Sequence, residues 1–385
     1  MPLQKFVFKP GVDRENTRYT SEGGWYECDK IRFRAGMPEK IGGWNRISTN
    51  SFLGVARSLF SWVTLGSQKL LGIGTHLKFY IEQGGVYYDI TPLRATVSLT
   101  DPFTTVSGST TVTVTDAAGG YINNDFVTFS GASAVGGLTL NGEFQITYLT
   151  GNTYTITASE AASSSATGGG SVSAAYQINT GPSIAEALVG WGAGGWSLGT
   201  WSVGVTSTDA LRLWTQSNFG EDLIFAARGG NLFFWDATDA LTTRGVLLSS
   251  ETGASNVPVK VNTLLVSDNR FVFCFGTNVL GSTDLDPLLL RWSDQENALN
   301  WTPSSTNQAG DLRLSKGSEI ITAIQGRQEI LVWTDSALYA LQYVGAPAVW
   351  GSQTVGENLS IASTNAVAYA NGVAYWMGVG GFYRY

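Results

Sequence analysis

Charge is scarce in this 385-residue chain. Only 14% of residues are Asp, Glu, Lys or Arg, where about 25% is usual for a soluble domain. Helical bundles and coiled coils depend on Ala, Leu, Glu, Lys and Arg, so the shortage argues against them. Histidine occurs once, at His76, and cysteine twice, at Cys28 and Cys274. Neither cysteine belongs to a CxxC pair or lies near a histidine cluster, which disfavours a disulfide scaffold and a zinc site alike. Long apolar runs are missing as well. The longest, such as Phe271 to Phe275, suit strands and fall far short of the ~18–20 residues of a membrane helix. The opening MPLQKFVFKPGVD has no apolar signal region and no cleavage site, and reads as the start of a soluble protein made in a cytoplasm.

Aromatic and small residues fill the space that charge leaves. Hydrophobic residues make up 43% and aromatics 12%, with 13 Trp and 47 Gly. That is enough apolar material for a real core and excludes disorder of the whole chain. The expectation is an all-β protein with one barrel-sized domain and a smaller one. Net charge is −7, from 23 basic and 30 acidic residues. A protein that grips nucleic acid needs a Lys or Arg at each phosphate contact. Stable DNA binding is therefore disfavoured, whereas a surface that DNA slides past without sticking is compatible.

From about Val55 onward one unit keeps returning: three or four short β runs separated by Gly, Asn, Asp and Ser turns. Its hairpins are clearest at 222–238, 269–294, 328–345 and 372–385, with the same pattern at 69–92. Trp235, Trp292, Trp333 and Trp376 recur at steps of 57, 41 and 43 residues. Periods of roughly 40–50 residues with four strands each mark β-propeller blades. Asp236, Asp294 and Asp335 follow the strand ends, where a carboxylate fixes a turn by accepting nearby backbone N–H groups.

Residues 93–182 interrupt this rhythm. They are rich in Thr, Ser, Gly and Ala, with strand runs at 110–115, 125–131, 142–151 and 152–158. A small β-sandwich or barrel inserted in a propeller loop is expected, its ends meeting near Pro92 and Pro182. The chain then divides into residues 1–92 (N-terminal segment and first blade), 93–182 (the insert) and 183–385 (the remaining blades). In 190–204, Trp191, Trp196 and Trp201 stand five residues apart among glycines, a spacing of neither helix nor strand. This is a core-capping loop or a contact surface. Tyr385 falls partway into a hairpin that begins near Ala366. Either N-terminal strands complete that blade or the native gene product runs further.

Motifs for chemistry are few. His76 reads as a turn residue. Gly190, Gly192 and Gly195 match GxGxxG, but no helix pattern follows to receive a phosphate, and the match is accidental. SDQENALNW at 293–301 resembles a sialidase Asp-box without its Asp and Gly in place, and such boxes are structural turns. No metal, cofactor or catalytic residue is assigned, and an enzyme is not expected.

The N-terminal segment carries more information. In DKIRFRAG, Lys30, Arg32 and Arg34 alternate with Ile31 and Phe33. On a strand, that places cations on one face and apolar groups on the other. The cationic face is a solvated one, a contact with a subunit or partner, or, least favoured by the acidic total, a contact with DNA.

The whole stretch PGVDRENTRYTSEGGWYECDKIRFRAGMPEKIGGW (10–44) resembles the opening of podovirus tail nozzle proteins, the family that includes packaged-DNA stabilisation proteins of short-tailed phages. The resemblance is carried by Pro10-Gly11, Asn16-Thr17, Glu22-Gly23-Gly24-Trp25, Asp29-Lys30, Arg32-Phe33-Arg34, Gly36, Pro38-Glu39-Lys40 and Gly42-Gly43-Trp44. WGAGGWSLGTW, WSDQENALNWTP and the insert are similar to family segments too, while the chain stops earlier than a complete family propeller. The resemblance implies a structural virion protein of the tail. Its subunits would form a homo-oligomer, a hexameric ring below the portal and tail adaptor, with fibre, spike or needle proteins attached. Double-stranded DNA would pass through without specific binding, and no membrane would be entered. Trp25, Lys30, Arg32, Arg34 and Trp44 are the residues expected at subunit or adaptor contacts. A lectin-like receptor-binding propeller is the alternative, and a propeller glycosidase a weaker one.

Overall fold

The computed structural model describes residues 9–15, 17–20, 23–43, 45–46, 48–117, 119–184 and 211–385. The chain divides into two compact units, Met1–Thr49 and Asn50–Tyr385. In the first, β1 (Ile31–Arg34) pairs antiparallel with β2 (Met37–Lys40). The two-residue turn between them puts Ala35 at φ +49° and Gly36 at φ +79°. Two left-handed central residues make a type I′ turn, whose twist suits paired strands.

The second unit is all-β. Its first sheet holds β3 (Ala56–Val63), β4 (Lys69–Thr75), β5 (Phe79–Gln83) and β6 (Val86–Asp89) in that order. Three more four-stranded sheets repeat the pattern. They are β16 (Trp214–Phe219), β17 (Asp222–Ala227), β18 (Leu232–Trp235) and β19 (Val246–Leu247); β20 (Val261–Val266), β21 (Val272–Asn278), β22 (Leu285–Trp292) and β23 (Gly310–Arg313); and β24 (Ile320–Gln325), β25 (Ile330–Thr334), β26 (Ala337–Gly345) and β27 (Val349–Glu357). A fifth sheet has three strands, β28 (Val367–Ala370), β29 (Val373–Gly378) and β30 (Gly381–Arg384). The first strand of each sheet lies against the first strand of the next. This propeller-like series matches the expected fold class.

Four hydrophobic clusters join the five sheets in chain order. The middle sheets are buried on both faces, so their central strands carry continuous apolar runs, such as LIFAA in β17 and ILVW in β25. In β17, Leu223 and Phe225 face the first sheet, while Ile224 and Ala226 face the third. In β25, Ile330 and Val332 face backward, and Leu331 and Trp333 face forward. The end sheet behaves differently. In β29, Ala374 and Trp376 are buried, but Tyr375 and Met377 on the other face are exposed. Among the described residues only one face has a neighbour, and the sequence there alternates accordingly.

The insert builds two further sheets around its own core. One has the order β11 (Gly142–Gln145), β10 (Phe126–Ser130), β15 (Ser171–Gln177), β7 (Leu93–Thr100). The other runs β12 (Thr147–Thr150), β13 (Thr153–Thr157), β9 (Thr111–Thr115), β8 (Phe103–Thr105), β14 (Ala166–Gly168). Phe103, Val112, Val127, Phe129, Tyr154 and Val172 fill the space between them. The run expected as one strand over 142–151 crosses from sheet to sheet at Ile146, which is buried at the corner. Entry and exit strands β7 and β15 pair directly, Leu93 opposite Gln177, and Ile178 N–H donates to Pro92 O at 3.0 Å. The insert's ends therefore lie side by side. The only helical turn among the described residues is the 3₁₀ turn Leu248–Ser250.

Candidate functional site

The expected contact residues sit on the β1–β2 hairpin and the chain before it. Arg32 and Arg34 are exposed, while Ile31 and Phe33 are half-buried on the opposite face. Lys30 departs from the alternation: its φ of +57° places it before the strand, in a left-handed conformation. The cations are unequal. Arg32 is paired with Glu39 directly across the hairpin, and Lys30 lies 3.9 Å from Asp29. Arg34 makes no ion pair among the described residues, and faces solvent beside Met37, which is 70% exposed. Of the three, Arg34 alone has no ion-pair partner among the described residues.

Trp25 turns inward. Its ring meets Phe33 edge-on at 6.1 Å, and its backbone is tied to the preceding segment through the Val12–Trp25 bridge and an Asp13 N–H to Trp25 O bond of 2.9 Å. Trp44 lies outside the described residues, as do Trp191, Trp196, Trp201 and the glycines Gly190, Gly192 and Gly195. The sequence reading missed a neighbouring cluster. Arg14 and Arg18 lie over the Tyr26 ring at 5.7 and 5.0 Å and both reach Glu27, at 3.2 and 4.0 Å. The two arginines are four apart, a helical spacing, yet the segment is a turn closed by Thr20 N–H to Thr17 O, so pattern alone gave no signal.

A second polar cluster is buried where the insert joins the first two sheets. Lys78, 2% exposed, follows β4 and donates to both Asp89 and Glu143 at 2.6 Å. Arg244 reaches the same carboxylates at 3.5 and 3.6 Å, and Gln177 donates to Glu143 at 2.5 Å. Burial pushes the Asp89 carboxyl up, but Lys78 and Arg244 outweigh it and hold the group below the usual carboxylate range. Two cations and two carboxylates balance, and each carboxylate is committed to both cations. Such an arrangement fixes the insert's direction on the propeller-like sheets.

Two of the three aspartates at strand ends do more than cap their own turns. Asp236 accepts from Thr238 two residues on. Asp294 accepts from Gln308 N–H, and Asp335 from Ser318 N–H, each tying down a distant loop. In the Asp-box-like stretch, Trp301 is buried and donates to Ala298 O at 2.7 Å, a structural turn. His76 sits in the β4–β5 turn, its Nδ1 accepting from Val55 N–H at 3.1 Å.

Eight tryptophans from Trp62 to Trp376 are described, and none exceeds 7% exposure. They are core residues, so no described indole of that unit is free to stack on a sugar. Large apolar groups are exposed instead at the two ends of the sheet series. On the last sheet Phe382 is 86% and Met377 43% exposed, and on β3 Leu59 is 65% exposed. No group of three or more metal-ligating side chains occurs among the described residues, and no described helix is long and apolar enough to cross a membrane.

No family model matches the chain, and no curated protein matches it. Among solved structures it is similar to a phage phi92 endosialidase at 14% identity and a TM-score of 0.26. The match covers 89% of this chain and 55% of that one. The chain thus spans about half the length of that neighbour, and a likeness this slight carries no argument about function.

Proposed function

We propose that this chain is a structural subunit of a short-tailed phage tail, a nozzle protein. In this reading it assembles with copies of itself into a ring below the portal and adaptor and extends the channel through which DNA leaves. The observation that carries the reading is the ordered series of family-like segments from Pro10 to Trp44, followed by WGAGGWSLGTW and WSDQENALNWTP. Surface chemistry supports it. Arg34 has no ion-pair partner among the described residues and pairs across the hairpin with exposed Met37, and Arg with large apolar groups is the composition that assembling interfaces bury. The role is assembly and gating, without a catalytic step or a cofactor, and adaptor, fibre, spike or needle proteins are the partners.

Charge supports DNA passage without capture. Six copies at −7 each would carry −42 together, and an acidic wall repels a duplex bearing one charge per ~1.7 Å. A belt of Lys and Arg lining the channel would overturn this part of the reading.

Arg34→Glu tests the contact. Arg32 is less informative, because its reversal would also face Glu39 across the hairpin. The variant is expected to fold but fail to enter tails, and normal incorporation would refute the assignment. Cryo-electron microscopy of particles from the native source tests the whole reading. A ring on the tail axis is expected; density in peripheral fibres, or glycan binding by the chain, would replace it with a receptor-binding role.

A further inference from the structure

The first strands of the sheets converge on a small polar cavity of about 60 Å³. Thr215 of β16, Asn262 of β20 and Thr322 of β24 contribute to its wall, with Thr364 and Asn365 from the loop before β28 and Arg228 from the end of β17. Among the described residues, no Asp or Glu lines it. Within a chain that is acidic overall, the described residues of this wall carry one positive charge and no negative one.

Arg228 is positioned by its backbone. It follows β17 directly, and its N–H donates to Leu213 O at 2.9 Å, which holds the residue at the mouth of the cavity. Among the described residues its guanidinium makes no hydrogen bond, ion pair or ring contact. The same holds for the side chains of Asn262, Thr322, Thr364 and Asn365. Thr322 is 5% exposed, and what remains exposed of it lines the cavity. Polar groups that line a cavity without protein partners are available to a polar occupant.

We propose that this cavity binds a small tetrahedral oxyanion, phosphate or sulfate. A water needs about 10–15 Å³ measured this way, so the volume holds several waters or one such ion. The guanidinium fork offers paired N–H donors that fit two oxygens of an oxyanion. Threonine hydroxyls and asparagine amides would donate to the other oxygens. Because the groups come from three successive sheets and the loop that leads to the last one, the ion would tie the inner strands together at their point of convergence.

The test is titration of the full chain with inorganic phosphate by calorimetry, against chloride at matched ionic strength. Saturable phosphate binding is expected. Arg228→Gln should weaken it by about tenfold or more, the loss typical of removing a charge-assisted hydrogen bond. Thr322→Val keeps the cation and the volume and should weaken it several-fold, which a purely electrostatic attraction to the surface would not show. A thermal melt of each variant without phosphate establishes that both remain folded. A parallel titration with a short DNA duplex separates the sources: Arg228-dependent binding of duplex would identify a nucleic-acid phosphate as the occupant, and binding of phosphate alone the free ion. No saturable phosphate binding by the wild-type chain, or equal binding by Arg228→Gln, would overturn the proposal.

Discussion

Removing Lys78 should loosen the junction between insert and sheets far more than its single charge suggests. Lys78→Met keeps the aliphatic stem but leaves Asp89 and Glu143 without their 2.6 Å partner. One-sided loss of a buried ion pair costs about 3–5 kcal/mol. Arg244 remains at 3.5 and 3.6 Å from the two carboxylates, which places the expectation near the lower end, about 3 kcal/mol. That corresponds to roughly a hundredfold fall in protection against hydrogen exchange for local opening. Peptides spanning 79–91 and 142–150 should show it. Lys316→Met, which removes an exposed partner of Glu357 at 3.4 Å, should change protection by less than about twofold. The double variant Lys78→Met/Glu143→Gln should lose less than the sum of the singles, with a coupling of about 1–2 kcal/mol. The effect also has a pH signature. Asp89 is held below the usual carboxylate range, so it binds a proton less readily folded than unfolded. Its contribution is complete above the unfolded value of about 4 and is lost as pH falls through the lowered folded value. Lys78→Met should flatten that acid limb. Unchanged protection at 142–150, or additive single and double variants, would refute the clamp.

Three smaller predictions concern the sheets and the hairpin. His76 is the chain's single histidine, so one imidazole resonance reports it; burial first and Arg57 second lower its pKa, and its NMR midpoint should lie below 6.5. Stability from this group is complete above about 6.5 and is lost as pH falls through the lowered value. Gly74→Ala would put a Cβ at 2.5 Å from the Trp214 ring, and should lower the melting temperature through a cost of about 1–3 kcal/mol. Ala35→Asn should tighten the β1–β2 hairpin by up to about 1 kcal/mol, because Asn accepts the left-handed conformation that Ala resists; exchange protection of 31–40 would rise, and a fall would count against the turn.

Periodicity and turn chemistry made much of the fold legible. The hairpins at 222–238, 269–294 and 328–345 stand where the strands β17–β18, β21–β22 and β25–β26 form, because apolar runs bounded by Gly, Asn and Asp have few other solutions. Alternation in IRFR separated exposed arginines from half-buried Ile31 and Phe33. The same pattern could not show that Glu39 would neutralise Arg32 and leave Arg34 alone, since cross-strand pairing depends on the register that the Ala35-Gly36 turn sets. Nor could it show the crossing at Ile146, where one continuous β run changes sheets.

By itself, the sequence determined the class of structure: little charge, many aromatics and recurrent strand–turn units admit an all-β chain and little else. Local hydrogen bonding and side-chain period act over a few residues, and those are written in order along the chain. Tertiary structure alone decided which distant groups meet. Lys78, Glu143 and Arg244 are separated by 65 residues or more, and Arg228 shares a cavity with Thr322 and Asn365. Their encounter follows from the stacking of whole sheets, and burial there sets the energies of charges that the sequence could only count.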